Sequence, residues 1–171
     1  MQNNIKEKNL EDMVADKWKY LTFRLDNETY AIDVMKVREI IGLLPITRVP
    51  RTPEFIKGVI NLRGQVIPII DLRMRFEMPV VEYDERACVI VVEIPGGKSL
   101  LAIGLIVDSV NEVLPIDRSK IDPTPSFGEK VSTEFIKGIA RVGDGVLTIL
   151  DIDKVFSDME KSNLESVEKR R

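Results

Sequence analysis

The sequence predicts a mainly β protein built as two small, closed or half-closed barrels, with short helices and a C-terminal helix. Two observations carry that expectation. Short alternating runs of polar and apolar residues are separated by Gly, Pro and Asn turns throughout the chain. In addition, one segment is written twice: residues 54–76 read EFIKGVINLRGQVIPIIDLRMRF and residues 134–156 read EFIKGIARVGDGVLTILDIDKVF. The copies lie 80 residues apart, Glu54 to Glu134, without a gap. Glu54, Phe55, Ile56, Lys57, Gly58, Val66, Ile69, Asp71 and Phe76 recur as identical residues. Two copies point to a duplicated small domain rather than a solenoid. Residues of about 17–80 and 81–156 are the expected subdomains, intertwined within one body of 17–156, and the seam between them is the expected place of function.

Taken in order, residues 1–16 are polar and charged and read as a flexible tail. Lys19 to Leu25 alternates through Leu21, Phe23 and Leu25. Asp26-Asn27-Glu28 is turn chemistry, and Thr29 to Val34 resumes the alternation, so the pair makes a hairpin. Val34, Val37 and Ile41 have helix-like spacing, which suits a short turn. Pro45 and Pro50 bracket an extended stretch. Thr52 and Pro53 read as N-cap and first residue of a one-turn helix that Gly58 ends in left-handed conformation. Gly64 bends the chain into Val66–Asp71, where Pro68 predicts an edge strand or a bulge.

The second half restarts with strand Ala87–Ile94, a turn at Pro95–Lys98 and strand Leu100–Val107. Residues 102–116 (AIGLIVDSVNEVLPI) echo residues 31–46 (AIDVMKVREIIGLLPI), so the duplication covers nearly the whole body. Residues 122–128 form a proline-rich loop. After strand Val146–Leu150, Ile152, Val155, Phe156 and Met159 have the spacing of a closing helix. Residues 157–171 are expected to hold the end of that helix and a loose charged tail.

Several chemistries are excluded by composition. The chain has 171 residues, no histidine and one cysteine, Cys88. Histidine-based nucleophilic triads and zinc sites of histidine or paired cysteines are therefore absent. Cys88 stands in the apolar run ACVIVV, where a buried inert thiol is expected, and a lone cysteine suits a reducing compartment. Net charge is −3 with both signs interspersed, which gives neither a basic footprint for nucleic acid nor a polybasic membrane patch. No N-terminal apolar core of a leader and no stretch of membrane-spanning length is seen, so the expectation is a cytoplasmic protein.

Other motifs dissolve on inspection. Gly97-Lys98-Ser99 lacks the first glycine of a phosphate loop, where Val92 stands, and precedes a strand; a hairpin turn explains it. Gly143-Asp144-Gly145 lacks the third glycine of a dinucleotide fingerprint. Asp71 and Asp151 are the same position in the two copies, at a strand-to-helix boundary, where with Asp153 they read as caps rather than cation ligands. Asn61-Leu62-Arg63-Gly64 differs: the second copy has Arg141-Val142-Gly143-Asp144. Arg63 at the tip of a tight connection can order nearby carboxylates, or be a plain surface arginine.

Residues 60–73 (INLRGQVIPIIDLR), 30–40 (YAIDVMKVREI) and 52–59 (TPEFIKGV) together resemble CheW, the chemotaxis coupling family, and the match runs from about Tyr20 to Phe156. The resemblance implies two SH3-like five-stranded barrels in pseudo-two-fold arrangement around a shared apolar core, no catalysis and no cofactor. It implies an adapter between the cytoplasmic tip of methyl-accepting chemoreceptors and the regulatory domain of the histidine kinase CheA. Such a protein works at the inner face of the membrane through receptor arrays, without inserting into it. Carried over by position, Val34, Val37, Glu39, Gly58 and Arg63 match one side of a receptor groove, and Val107, Asp108 and Val110 the opposite wall. Ile121 and Phe127 match a kinase-facing loop, although Asp122 stands where some relatives carry arginine. Plain core packing is the competing reading for the apolar positions, for Val34 and Val107 above all. Glu39 and Arg63 are expected to approach each other. The rival class is a small-barrel nucleic-acid-binding or regulatory domain.

Overall fold

The computed structural model describes residues 17–97, 99–123 and 133–169; the expected tail, 1–16, lies outside them. In chain order the strands are β1 (Lys17–Leu25), β2 (Glu28–Asp33), β3 (Val37–Gly42), β4 (Ile56–Leu62), β5 (Gln65–Asp71), β6 (Cys88–Pro95), β7 (Leu100–Val107), β8 (Ser109–Asp117), β9 (Ile121–Asp122), β10 (Ile136–Val142) and β11 (Gly145–Leu150). Among the described residues two α-helices accompany them, the one-turn α1 (Leu72–Arg75) and α2 (Asp158–Lys169). The hairpin turns carry the chemistry that tight turns need. Asp26 and Asn27 (φ 51° and 67°) join β1 to β2, and Arg63 and Gly64 (φ 52° and 87°) join β4 to β5.

Neither sheet follows the halves of the sequence. The larger runs β8-β1-β2-β11-β10-β9 and the smaller β3-β6-β7-β5-β4. Each therefore takes one two-stranded hairpin from one copy (β1–β2, or β6–β7) and its remaining strands from the other. The orders superpose term by term: β8, β1, β2, β11 and β10 correspond to β3, β6, β7, β5 and β4. Even β9, which pairs with Ile139 and Ala140, has its counterpart in an isolated bridge between Thr47 and Val59. The parallel joints match as well, Ile69 facing Gly104 and Ile149 facing Ala31. Strand exchange explains how units too small for a secure core of their own are held together.

Three apolar clusters result. Ile60, Ile67, Ile69, Val89, Val91 and Ile106 fill the smaller barrel. Tyr20, Ala31, Ile116, Ala140, Leu147 and Ile149 fill the larger. The largest cluster lies between them and includes Phe23, Tyr30, Ile90, Ile103, Phe135, Leu150 and Phe156. Across it the repeated phenylalanines pair crosswise, Phe55 with Phe156 at 6.3 Å and Phe76 with Phe135 at 5.9 Å between ring centroids. Those are the same two positions exchanged, the signature of a pseudo-two-fold axis.

Several local expectations need correction. β5 is an inner strand despite Pro68, because its ladder to β7 begins only at Ile69, so on that side the missing N–H falls outside the pairing. Residues 53–55 form a turn closed by Ile56 N donating to Pro53 O (3.0 Å), not a helix, and the Thr52 hydroxyl donates to Val49 O (3.0 Å) instead of capping. Gly58 does not end a helix. It sits in β4 at φ 144°, beside a bulge, and a Cβ there would lie 2.1 Å from Thr47 O. Val34–Lys36 is a single 3₁₀ turn, after which Val37 opens strand β3.

The closing helix begins later and reaches further than its apolar spacing indicates. Ile152–Lys154 is only a 3₁₀ turn, whereas α2 runs through the stretch read as a loose tail. Its start is a capping box: Ser157 Oγ accepts from Glu160 N (3.1 Å) and Glu160 Oε1 accepts from Ser157 N (2.8 Å). Leu164 and Val167 bury its inner face, and Glu165 accepts from Gly97 N (2.5 Å), pinning the helix to the β6–β7 turn.

Candidate partner-binding site

Strand β3 is an edge strand with two differently engaged faces. Glu39 and Ile41 lie opposite Val91 and Val89, on the face toward the smaller barrel's core. Val37 and Ile40 lie opposite Val92 and Ile90, on the face toward the shared core. Because β3 lies at the margin of that core, Val37 is half-buried and Ile40 is 44% exposed; Met35, in the preceding turn, is 76% exposed. Val34 is half-buried beside them.

Arg63, at the β4–β5 turn, forms an ion pair with Glu39, as expected. Next to it Arg38 Nη1 donates to Gln65 Oε1 (2.7 Å). These two contacts join the tip of the β4–β5 hairpin to β3 and close the smaller barrel at its seam. The result is an edge with exposed apolar side chains, a charged pair at its border and a braced backbone. The sequence reading named Val34, Val37, Glu39 and Arg63, which the structure brings together here; it did not name Met35 and Ile40, whose apolar side chains in VMKVREII were the available signal.

The positions expected to form the opposite wall are less uniform. Val110 pairs with Phe23 as Val37 pairs with Val92, and both pack on the rim of the shared core. Val107 is a correction: it is completely enclosed, at 0% exposure, because it ends the inner strand β7 and belongs to the shared core. Gly58 also offers no side chain and is buried, so its part is to admit the Thr47 backbone and the Ile46 side chain.

Asp108 is half-buried and committed within the molecule. It accepts from Arg73 Nε (2.8 Å) and Nη2 (2.6 Å) and from Asp26 N (3.0 Å), while Arg73 Nη1 donates to Pro79 O (2.9 Å). The forked hydrogen bonds to Asp108 hold the guanidinium firmly charged against the cost of its burial. Tyr83 extends this network by donating to Asp71 Oδ2 (2.5 Å); burial first, and that hydrogen bond second, push its hydroxyl well above the usual tyrosine range. Asp71 and Asp151 act as the caps read from the sequence, accepting from Met74 N (3.3 Å) and Asp153 N (3.2 Å). Cys88 is half-buried and burial pushes its thiol up, which fits the inert reading.

Of the two positions expected to face the kinase, Ile121 of β9 is half-buried against the larger barrel's core and covers Gly138. Phe127 lies outside the described residues. Among the described residues no three His, Cys, Asp or Glu side chains gather as a metal site, and no helix is long and apolar enough to cross a membrane.

The family model of the CheW-like domain matches residues 19–160. The chain belongs to the CheW family. It is 42% identical over 150 residues to the chemotaxis protein CheW of Klebsiella aerogenes, covering 88% of each chain. To that of Bacillus subtilis it is 34% identical over 144 residues, 84% of this chain and 89% of the other. Among solved structures it resembles the scaffolding protein TtCheW of Thermoanaerobacter tengcongensis with a TM-score of 0.74 and 40% identity, over 82% of this chain and 88% of that one. The two sheets of this chain are thus the paired SH3-like barrels of a CheW-type chemotaxis scaffold.

Proposed function

We propose that this chain is a non-catalytic adapter that couples the cytoplasmic tip of methyl-accepting chemoreceptors to the regulatory domain of the histidine kinase CheA. It would act in the cytoplasm, on receptor arrays at the inner face of the membrane. The observation that carries the reading is the family match over the whole folded body, joined to a braced edge built from the residues that match the receptor-facing positions. A receptor tip is helical, and a helix docks through an apolar strip with a polar border. Met35, Val37 and Ile40 supply the strip and the Arg63–Glu39 pair the border, with Val34 and Val110 flanking. Asp108 supports the wall through Arg73. Ile121 and Phe127 remain the proposed kinase contacts; Ile121 belongs to β9, in the other sheet from β3, so that both partners can be held at once. The rival nucleic-acid reading is disfavoured by the net charge of −3.

The test is bridging. Receptor-bearing membranes should sediment purified CheA only when this protein is added, and Val37→Glu or Arg63→Ala should weaken receptor capture while kinase capture persists. CheA sedimenting equally without the protein, or the protein hydrolysing nucleotide or binding RNA tightly, would overturn the proposal.

A further inference from the structure

The two barrels share one plan, but among the described residues only one is bolted at its seam. In the smaller, Arg63 reaches Glu39 and Arg38 reaches Gln65. The strand ladders fix the matching positions in the larger. Val110 faces Phe23 where Val37 faces Val92, and Val113 faces Leu21 where Ile40 faces Ile90. Glu112 therefore stands in the place of Glu39, and Asn111 in that of Arg38. By the 80-residue repeat, Gly143 and Gly145 take the places of Arg63 and Gln65. The carboxylate is kept, and both of the groups that the hairpin should send toward β8 are reduced to glycine.

The site is nonetheless built. Thr22 Oγ1 donates to Glu112 O (2.8 Å) and accepts from Glu112 N (3.1 Å), which fixes the backbone that carries the carboxylate. Among the described residues no basic side chain forms an ion pair with Glu112. Between β8 and the β10–β11 hairpin lies a cavity of about 220 Å³, lined by Thr22, Glu112, Leu114, Val142 and Val146 among others. Val142, Val146 and the neighbouring Val113 are 38%, 58% and 46% exposed.

We propose that this seam is a docking site for a partner protein that presents an arginine from a tight turn flanked by apolar residues. Charge complementarity names the cation, and the fold itself supplies the precedent: the first copy fills the equivalent place with Arg63 on the turn Leu62-Arg63-Gly64. A planar guanidinium can meet a carboxylate with two parallel hydrogen bonds. Val142 and Val146, which line the same cavity as Glu112, give the pair an apolar border that a partner's flanking side chains can cover, the arrangement in which an interfacial arginine contributes most. The inference concerns the larger barrel and does not depend on the proposed coupling role.

The experiment is a titration of the isotope-labelled full chain, followed by NMR. The probe is a cyclised hairpin peptide with the chain's own residues 60–67, INLRGQVI, and its control has citrulline in place of the arginine. The arginine peptide should shift the amides of Thr22, Glu112, Val113 and Val146 saturably. Replacing arginine by citrulline, or Glu112→Gln in the protein, should weaken binding about tenfold or more. Gly143→Arg should close the site from within, since Arg63 already adopts φ 52° at the equivalent place and Gly143 has φ 59°. Thermal melts show that each variant is folded, and Glu112→Gln, on an exposed residue, carries the test should Gly143→Arg fail to fold. No shifts up to about 5 mM peptide, a millimolar limit that corresponds to very weak binding, would overturn the proposal. So would shifts centred elsewhere, or binding undiminished with citrulline or Glu112→Gln.

Discussion

Arg73 and Asp153 occupy the same position in the two copies, carry opposite charges, and each forms an ion pair with the other half of the sequence. Arg73 holds Asp108 at 2.6 Å and Asp153 holds Lys36 at 2.9 Å. The pairs differ in burial. The Arg73 side chain is 8% exposed, whereas Lys36 and Asp153 are each 32% exposed. The duplicated frame thus carries one enclosed ion pair and one solvated one, with the charges reversed.

That difference predicts unequal costs. Arg73→Met leaves Asp108 without its cation and Pro79 O without its donor, and should lower the free energy of unfolding by on the order of 2–3 kcal/mol. Asp153→Asn should cost about 1 kcal/mol or less, as for exposed pairs generally. Equilibrium unfolding in urea compares them directly, and equal losses would contradict the assignment.

Gly58→Ala should be severely destabilising, by on the order of 3 kcal/mol or more, because backbone strain and a clash with Thr47 O act together. Gly64→Ala, in open space at the hairpin tip, meets only the cost of its positive φ and should lose about 1 kcal/mol. Thermal melts of the two variants decide it, and a mild Gly58→Ala would show that the 46–47 segment moves freely.

Tyr83 sets an alkaline limit. Its ordinary pKa is 10.0, and the folded value lies above it. Above pH 10 the unfolded chain releases this proton while the folded chain keeps it, so stability is full below that pH and falls as pH rises. Tyr83→Phe loses the hydrogen bond to Asp71, about 1 kcal/mol at neutral pH, but should decline less steeply above pH 10. Urea unfolding at a series of pH values measures the slope; identical slopes in the two proteins would rule the mechanism out.

Arg75 should govern the C-terminal helix. Its guanidinium lies 4.9 Å from the Phe135 ring centroid and 5.3 Å from that of Phe55, and it donates to Val155 O (2.7 Å) and to Glu160 (3.2 Å). Arg75→Met keeps the bulk but loses the cation over the rings and both hydrogen bonds. Amide exchange in α2 should accelerate about tenfold, while β6 and β7 stay protected. Uniform acceleration throughout the chain would show global destabilisation instead.

Much of this was legible in the sequence, because alternation and turn chemistry are local. The β1–β2 and β6–β7 hairpins follow from Phe23, Tyr30, Ile94 and Leu101 and their neighbours without knowledge of the fold. The Arg63–Glu39 contact was legible only through family resemblance. That the two units intertwine was expected, but which strands cross was not legible: repeat matching says which residues are equivalent, but not whether β1 joins its own copy or the other. The enclosure of Val107 depends on that same exchange, which makes β7 an inner strand. The C-terminal helix was hidden for another reason. Its apolar face is carried by only a few residues, Leu164 and Val167 among them, and its start is marked by Ser157 and Glu160 rather than by hydrophobic spacing.

The shared strands also impose an order on biosynthesis. The larger sheet begins with the first strands translated and is finished last, since Tyr30 of β2 must wait for Thr148 of β11. The smaller sheet can close once β7 has left the ribosome, at Val107. During that interval the β1–β2 hairpin holds Leu21, Phe23 and Ile32 without its final neighbours, long-range pairing of the slow and aggregation-exposed kind. A nascent chain stalled just after Val107, before β8 can pair with β1, would therefore carry one completed barrel and one bare hairpin, the stage at which a holdase chaperone has most to protect.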